Sequence, residues 1–330
     1  MKQNAAEIPV HNFQRKAAIA NGGVLDHAGL VEVSPIPNFD LDKTIFNTLE
    51  GKLPRFVIRT RIAKEVQWKD AAGEDVDRAY LESRQRKPLP EVDEALLRFL
   101  VEECDFDVEH ADGSFLDHLY FCFEYSHHHF PQHSPLVMLL HSILGTGTNT
   151  FAMTAEKIPA LKSLMDDFEW AHVEAFPSVL RLLYDLPLRE ELWANKARLS
   201  ELEAIRFHRV IDNAELEMTA ENFWIQLSYQ LIHLIDFLPV ANWSVHANDT
   251  AFIVFRDLYA FLLETGKIGS KLTYDPPSGS GRAEGEVQAL GAKLVSLLPV
   301  QLSEKMAAKS VRQFSKQIGH SIDYKLIWRD

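Results

Sequence analysis

Cysteine is nearly absent from this chain: Cys104 and Cys122 are the only two in 330 residues. That excludes a disulfide framework and a cysteine-based zinc site, and it fits a reducing, cytoplasmic compartment. Long apolar runs are missing as well. No stretch of about 18 apolar residues occurs, so nothing in the sequence reads as a membrane span, and Met1 to Gly23 has no apolar core of signal-peptide length. Positive charge is in deficit. Lys and Arg number 34 against 47 Asp and Glu, a net −13 with histidine neutral. An acidic surface repels phosphate backbones and anionic lipid, which argues against nucleic-acid or membrane partners. The local exception is a basic stretch from Lys52 to Lys69, read as a solvated strand face. Missing too are Gly-x-Gly-x-x-Gly, a Walker loop, a Gly-x-Ser-x-Gly elbow and His-Glu-x-x-His. Gly145-Thr146-Gly147-Thr148-Asn149 follows a helix rather than a strand, so it is not a dinucleotide loop.

What remains is apolar and aromatic. The hydrophobic fraction is 46%, with 20 Phe and 6 Trp, enough for a sizeable core. The pattern predicts a mainly α protein. Residues 1–90 read as an irregular arm, broken by Pro9, Gly22, Gly23, Pro35 and Pro37, with a short strand over Arg55 to Ile62. Residues 91–266 read as one multi-helix domain, 267–285 as a linker rich in Gly, Pro and Ser, and 286–330 as a C-terminal helical segment.

Within the helical domain a first helix begins near Glu91. Ser114 reads as an N-cap for the next, which carries Phe115, Leu116, Leu119, Tyr120 and Phe123 inward and stops at Pro131. Ser134 and Pro135 then open a helix, Leu136 to Leu144, that is apolar all round and must be buried on every side. Further helices are expected at about 154–170, 175–186 and 196–217, from Thr219 to Leu238, and from Asp249 to about Thr265. The last two fall near 286–298 and 302–318.

His141 sits in the last turn of the all-apolar helix, and its ring nitrogens need internal partners there. The glycine-rich turn after it lets backbone approach a small ligand. His118 lies 23 residues earlier, in the first turn of the preceding helix. In an antiparallel pair those two ends adjoin, so the imidazoles converge, an arrangement that suits a borderline metal ion. The alternative is that each is a satisfied core histidine.

The segments Phe115-Leu116-Asp117-His118-Leu119 and Leu139-Leu140-His141-Ser142-Ile143-Leu144-Gly145 resemble the HD-domain superfamily of helical metal-dependent proteins, over roughly residues 92 to 240. The resemblance implies a lone His, then a His-Asp pair closing a buried helix, then a later Asp. Many such proteins are phosphohydrolases and a minority are di-iron oxygenases. Ser142 stands where the pattern has Asp, and a hydroxyl is a poor ligand for a hard cation. The resemblance is therefore to a diverged branch, with one metal ion or none.

A later helix would supply the third ligand. Gln226, Tyr229, Gln230, His233 and Asp236 fall three or four apart and share one stripe. Asp236 sits where the resemblance expects its closing Asp; His208 and Asp212 are the competing pair. The bland reading of the stripe is a wet helix face. His127-His128-His129 reads as a solvated helix end, because adjacent helical side chains diverge. Glu124/His127 and Glu169/His172 carry the Glu-x-x-His spacing of di-iron bundles, and with 14 histidines such pairs also arise by chance.

The expectation is a metal-dependent enzyme, an oxygenase or hydrolase, acting on a small organic molecule. His118, His141 and Asp236 would hold a transition metal, iron first. Ser142, Gly145, Thr146, Tyr120 and Trp224 would contact substrate, with Phe123 and Phe151 adding to the lining. The alternatives are a ligand-binding or interaction module on a degenerate HD-like fold, and a di-iron helical-bundle oxidase.

Overall fold

The computed structural model describes residues 24–25, 31–35, 64–68, 90–104, 109–110, 113–145, 153–235, 248–274, 294 and 297–329. Among them the chain is mainly helical.

In chain order, β1 (Val24–Leu25), β2 (Val31–Pro35) and β3 (Lys64–Trp68) precede the helical body. α1 (Glu94–Glu103) starts at Asp93, whose carboxylate accepts from the amides of Ala95 and Leu96. β4 (Glu109–His110) and β5 (Gly113–Ser114) pair as a short antiparallel ladder that leads into α2 (Phe115–His129). α3 (Leu136–Leu140), α4 (Ile158–Lys162), α5 (Asp167–Asp185) and α6 (Pro187–Ala194) follow. β6 (Leu202–His208) and β7 (Glu215–Thr219) form a hairpin before α7 (Ala220–Ile235) and α8 (Thr250–Glu264). β8 (Thr273–Tyr274), α9 (Val300–Ile318) and β9 (Lys325–Trp328) complete the order.

The core forms around α3, α5 and α7. Val137, Met138, Leu139 and Leu140 of α3 are fully enclosed, each such side chain contributing about 1.5–3 kcal/mol of burial. α2 packs along α3, α5 crosses α3 and α7, α8 covers α7, and α9 lies along α5. Phe176, Phe223, Tyr229 and Phe255 fill the space between these helices.

Several expectations hold. Asp249 caps α8 through the amide of Ala251, and Thr219 Oγ1 accepts from the amide of Asn222 at the start of α7. Ser134 Oγ accepts from the amide of Leu136 at 3.3 Å, but Pro135 is the N-cap residue and α3 ends at Leu140, shorter than the expected Leu136 to Leu144. The strand expected over Arg55 to Ile62 lies outside the described residues, and β2 pairs with β3 just beyond it.

Others need correction. The helix expected over 196–217 is a short 3-10 turn, Lys196–Glu201, followed by the β6–β7 hairpin. Its residues alternate with period two, Glu215-Leu216-Glu217-Met218, and Asn213 turns the chain at φ 60. The helices expected at 154–170 and 175–186 have different bounds. Asp166 and Glu169 form a capping box that starts α5, which then runs through Pro177. The ring removes one backbone hydrogen bond without ending the helix, because packing of the buried face outweighs it.

Of the expected linker, residues 267–274 are described: Ser270 and Leu272 are buried, and Thr273 and Tyr274 pair in parallel with Val24 and Leu25. Residues 275–285, and most of the helix expected near 286–298, lie outside the described residues. In the C-terminal segment β9 joins β6 to give the sheet order β7-β6-β9.

Candidate metal centre

Three helices bring three imidazoles to one point. His118 projects from the first turn of α2, His141 closes α3, and His233 lies in the last turn of α7. All three are buried, at 1%, 0% and 5% exposure. One ring nitrogen of each lies within 4.8 Å of the others, so the group can hold a metal ion.

The local sequence explains the placement. α3 is apolar on every side, so its end must sit inside the protein. The turn after it reaches Gly145 at φ 125, a backbone conformation that a side chain would strain, and the chain can leave at once. On α7, His233 lies three residues after Gln230 and seven after Gln226, on one face.

The rings meet edge to face. Centroid separations are 4.9 Å for His118 and His141, 5.1 Å for His118 and His233, and 4.8 Å for His141 and His233. Nε2 of His118 and Nε2 of His141 are 2.9 Å apart. Two nitrogens on one ion at about 2.0–2.1 Å stand roughly 2.9–3.4 Å from each other, so this pair already has ligand spacing. Closing the widest gap takes a side-chain movement of about 1.5 Å.

Surrounding groups orient the set. His141 Nδ1 donates to the carbonyl of Met138 at 2.7 Å, which leaves Nε2 as the lone pair. Cys122 Sγ is 3.9 Å from His118 Nδ1, one turn along α2. Phe176 of α5 lies against His141 and His233, at 4.7 and 5.4 Å between centroids.

A buried polar seam between α5 and α7 adjoins the group. His172 Nδ1 and Gln226 Oε1 are 2.8 Å apart; the amide oxygen only accepts, so the ring proton is on Nδ1. Burial pushes the His172 imidazole down to about 4, which keeps it neutral. Gln230 Nε2 donates to the Phe176 carbonyl at 2.9 Å. His172 Nε2, Gln226 Nε2 and Gln230 Oε1 have no hydrogen-bond partner among the described residues, and each belongs to a fully enclosed residue.

The expected site residues are distributed unevenly. His118 and His141 are together. Ser142 and Gly145 are buried immediately after His141. Asp236, Thr146 and Phe151 lie outside the described residues, as does the side chain of Tyr120 on α2. Phe123 is buried in the core. Trp224 stands on the other side of α7 from His233, against Phe223 and Phe261 and beneath Lys267. His208 ends β6, and Asp212 pairs with Arg209 in the hairpin turn.

Two readings are corrected. The stripe on α7 is not a wet face: Gln226, Tyr229, Gln230 and His233 are all buried. His128 and His129 are buried as well, with His128 3.9 Å from Glu124, so that helix end is not solvated. Of the Glu-x-x-His pairs, Glu169 accepts from Ser134 Oγ and from the amide of Asp166 while His172 faces Gln226. His233, a member of the stripe that the sequence offers, is the α7 residue the structure brings to His118 and His141.

No protein-family model, no curated protein and no solved structure matches the chain. Among the described residues, no helix is long and apolar enough to cross a membrane.

Proposed function

We propose that this protein is a metal-dependent enzyme acting on a small organic molecule, with His118, His141 and His233 holding one transition-metal ion. The observation that carries the reading is the convergence of three buried imidazoles from three helices. Imidazole suits iron, zinc, copper and nickel, and iron is the first ion to test. An ion held by these three imidazoles would supply Lewis-acid or redox chemistry.

The chain's own groups do the rest. The Met138 carbonyl fixes the His141 tautomer. Phe176 excludes water on one side. His172, Gln226 and Gln230 offer two acceptors and one donor to a polar substrate, a hydrogen-bonding set that fits a small hydroxylated or amide-bearing molecule. The resemblance to HD-domain proteins supports His118 and His141. In this reading His233 takes the third place, where the resemblance would put Asp236.

A second reading is non-catalytic. The 2.9 Å contact between His118 and His141 is also a good N–H···N hydrogen bond, as in a histidine cluster that only braces three helices. Elemental analysis of the full chain, and of apoprotein reconstituted anaerobically with ferrous, zinc or cobalt ion, separates the two. About one ion per chain, lost in both His141→Ala and His233→Ala, supports the metal centre. Protein that takes up none of these ions overturns it in favour of the brace.

A further inference from the structure

At the far end of α5, about 13 Å along its axis from Phe176, a groove opens between the α5–α6 junction and α9. It is an open groove of about 570 Å³, within the size range of small-molecule sites. Four of its lining residues are cations on one stripe of α9: Lys305, Lys309, Arg312 and Lys316. Among the described residues that line the groove, Asp185 and Glu190 are the two with negative charge.

That imbalance is unusual in a chain of net charge −13. It is also poorly neutralised. Glu304, beside Lys305 on α9, is turned away to Arg189 at 2.9 Å. Arg312 covers Asp185 at 2.6 Å. Lys305, Lys309 and Lys316 have no acidic partner among the described residues. Behind Asp185 on α5 lies Arg181, 2% exposed, bonded to Ser315 and with Nε unpartnered among the described residues. A second cation therefore compensates the one buried carboxylate of the groove. The junction itself is strained: Leu186 holds φ 81 and ψ −48, a conformation costly for a side chain other than glycine. Strain of this kind persists where the surroundings over-determine it, and Asp185, Leu186 and Pro187 all line the groove.

We propose that this groove binds a small polyanion, a molecule with adjacent phosphate or carboxylate groups, at a site separate from the histidine centre. The stripe spaces its cations by three and four residues, so neighbouring ammonium groups reach one multiply charged ligand together. A long polyanion such as nucleic acid is disfavoured, because the acidic surface beyond the groove repels it.

Calorimetric titration of the full chain with pyrophosphate and, separately, with citrate tests this and distinguishes phosphate from carboxylate. A tetra-aspartate peptide is the third arm. Saturable one-to-one binding of either small anion is expected, weakened about tenfold in K305E/K309E, unchanged in K157Q and retained in H141A. Both reversed lysines are exposed, and circular dichroism checks that the variant is folded. Absence of saturable binding, or equal affinity in K305E/K309E, overturns the proposal. Binding of the peptide alone also overturns it, and assigns the groove to a protein partner.

Discussion

Nε2 of His118 lies 2.9 Å from Nε2 of His141, and the opposite nitrogen of His141 donates to the Met138 carbonyl at 2.7 Å. Together these contacts fix where protons reside. His141 Nε2 is a lone pair, so without an ion His118 supplies the proton between the rings. If His118 held an ion through Nε2, its proton would sit on Nδ1, which faces Cys122 Sγ at 3.9 Å. Zinc titration of ¹⁵N-histidine-labelled apoprotein should therefore switch His118 from its Nε2–H to its Nδ1–H tautomer. Zinc affinity, read by competition with a chromophoric chelator, should fall at least about 100-fold in His141→Ala and His233→Ala, since loss of an outer partner alone costs 10–100-fold. Unaltered affinity in both would remove the centre.

His172 should make stability depend on acidity. Its neutral form is preferred in the folded chain, down to about 4 from an ordinary 6.5. Below pH 6.5 the unfolded chain takes up the proton first. This residue's contribution is thus intact above 6.5, declines as pH falls towards 4, and is flat below that. The loss approaches about 3 kcal/mol. Urea unfolding at several pH values should show a shallower decline for His172→Gln than for the parent. Parallel curves would contradict the assignment.

Arg189 ties three helices to its own, α6. Its guanidinium donates to the Leu183 carbonyl at 2.8 Å, to Asp257 of α8 at 2.8 Å and to Glu304 of α9 at 2.9 Å, and it is 6% exposed. Trp193 Nε1 donates to the same Asp257. Arg189→Ala strands two carboxylates and should cost about 3 kcal/mol or more in chemical denaturation. Arg189→Lys should recover less than half, because an ammonium cannot reproduce the three-way fork. Full recovery by lysine would show that charge alone matters.

Gly269 is packed too tightly for a methyl group. A Cβ there would lie 2.8 Å from Cε2 of Phe130, whose ring is enclosed, and near Ser228 Oγ. Gly269→Ala should destabilise by roughly 1–3 kcal/mol. Adding Phe130→Leu should return part of that loss in a double-mutant cycle; strictly additive effects would place the strain elsewhere.

The residues that announced the architecture were those whose local chemistry has one outcome. Leu136 to Leu144 had to be buried, Asp249 and Thr219 had to cap, and the spacing of His118 and His141 placed them at adjoining helix ends. The β6–β7 hairpin is hard to read locally because apolar residues in Leu202 to Phe207 also match a helical count; pairing of β6 with β7 and with β9, over a hundred residues later, makes it a strand. The α7 stripe is obscure for a related reason. Gln226, Gln230 and His233 look solvated in sequence, and it is the packing of α5 against the two amides and of α2 and α3 against the imidazole that buries them. That His233 joins His118 and His141 depends on the direction of α7 relative to α3, which no local pattern contains.

The enclosure of the three imidazoles bears on traffic in and out of the site. An ion held by His118, His141 and His233 would bolt together segments far apart in the chain, behind walls of Phe176 and α3. Its departure would wait on a transient opening of those helices rather than on the strength of its bonds. Loading would then be easiest while the chain is still folding, and exchange in the finished protein would keep the slow clock of its core.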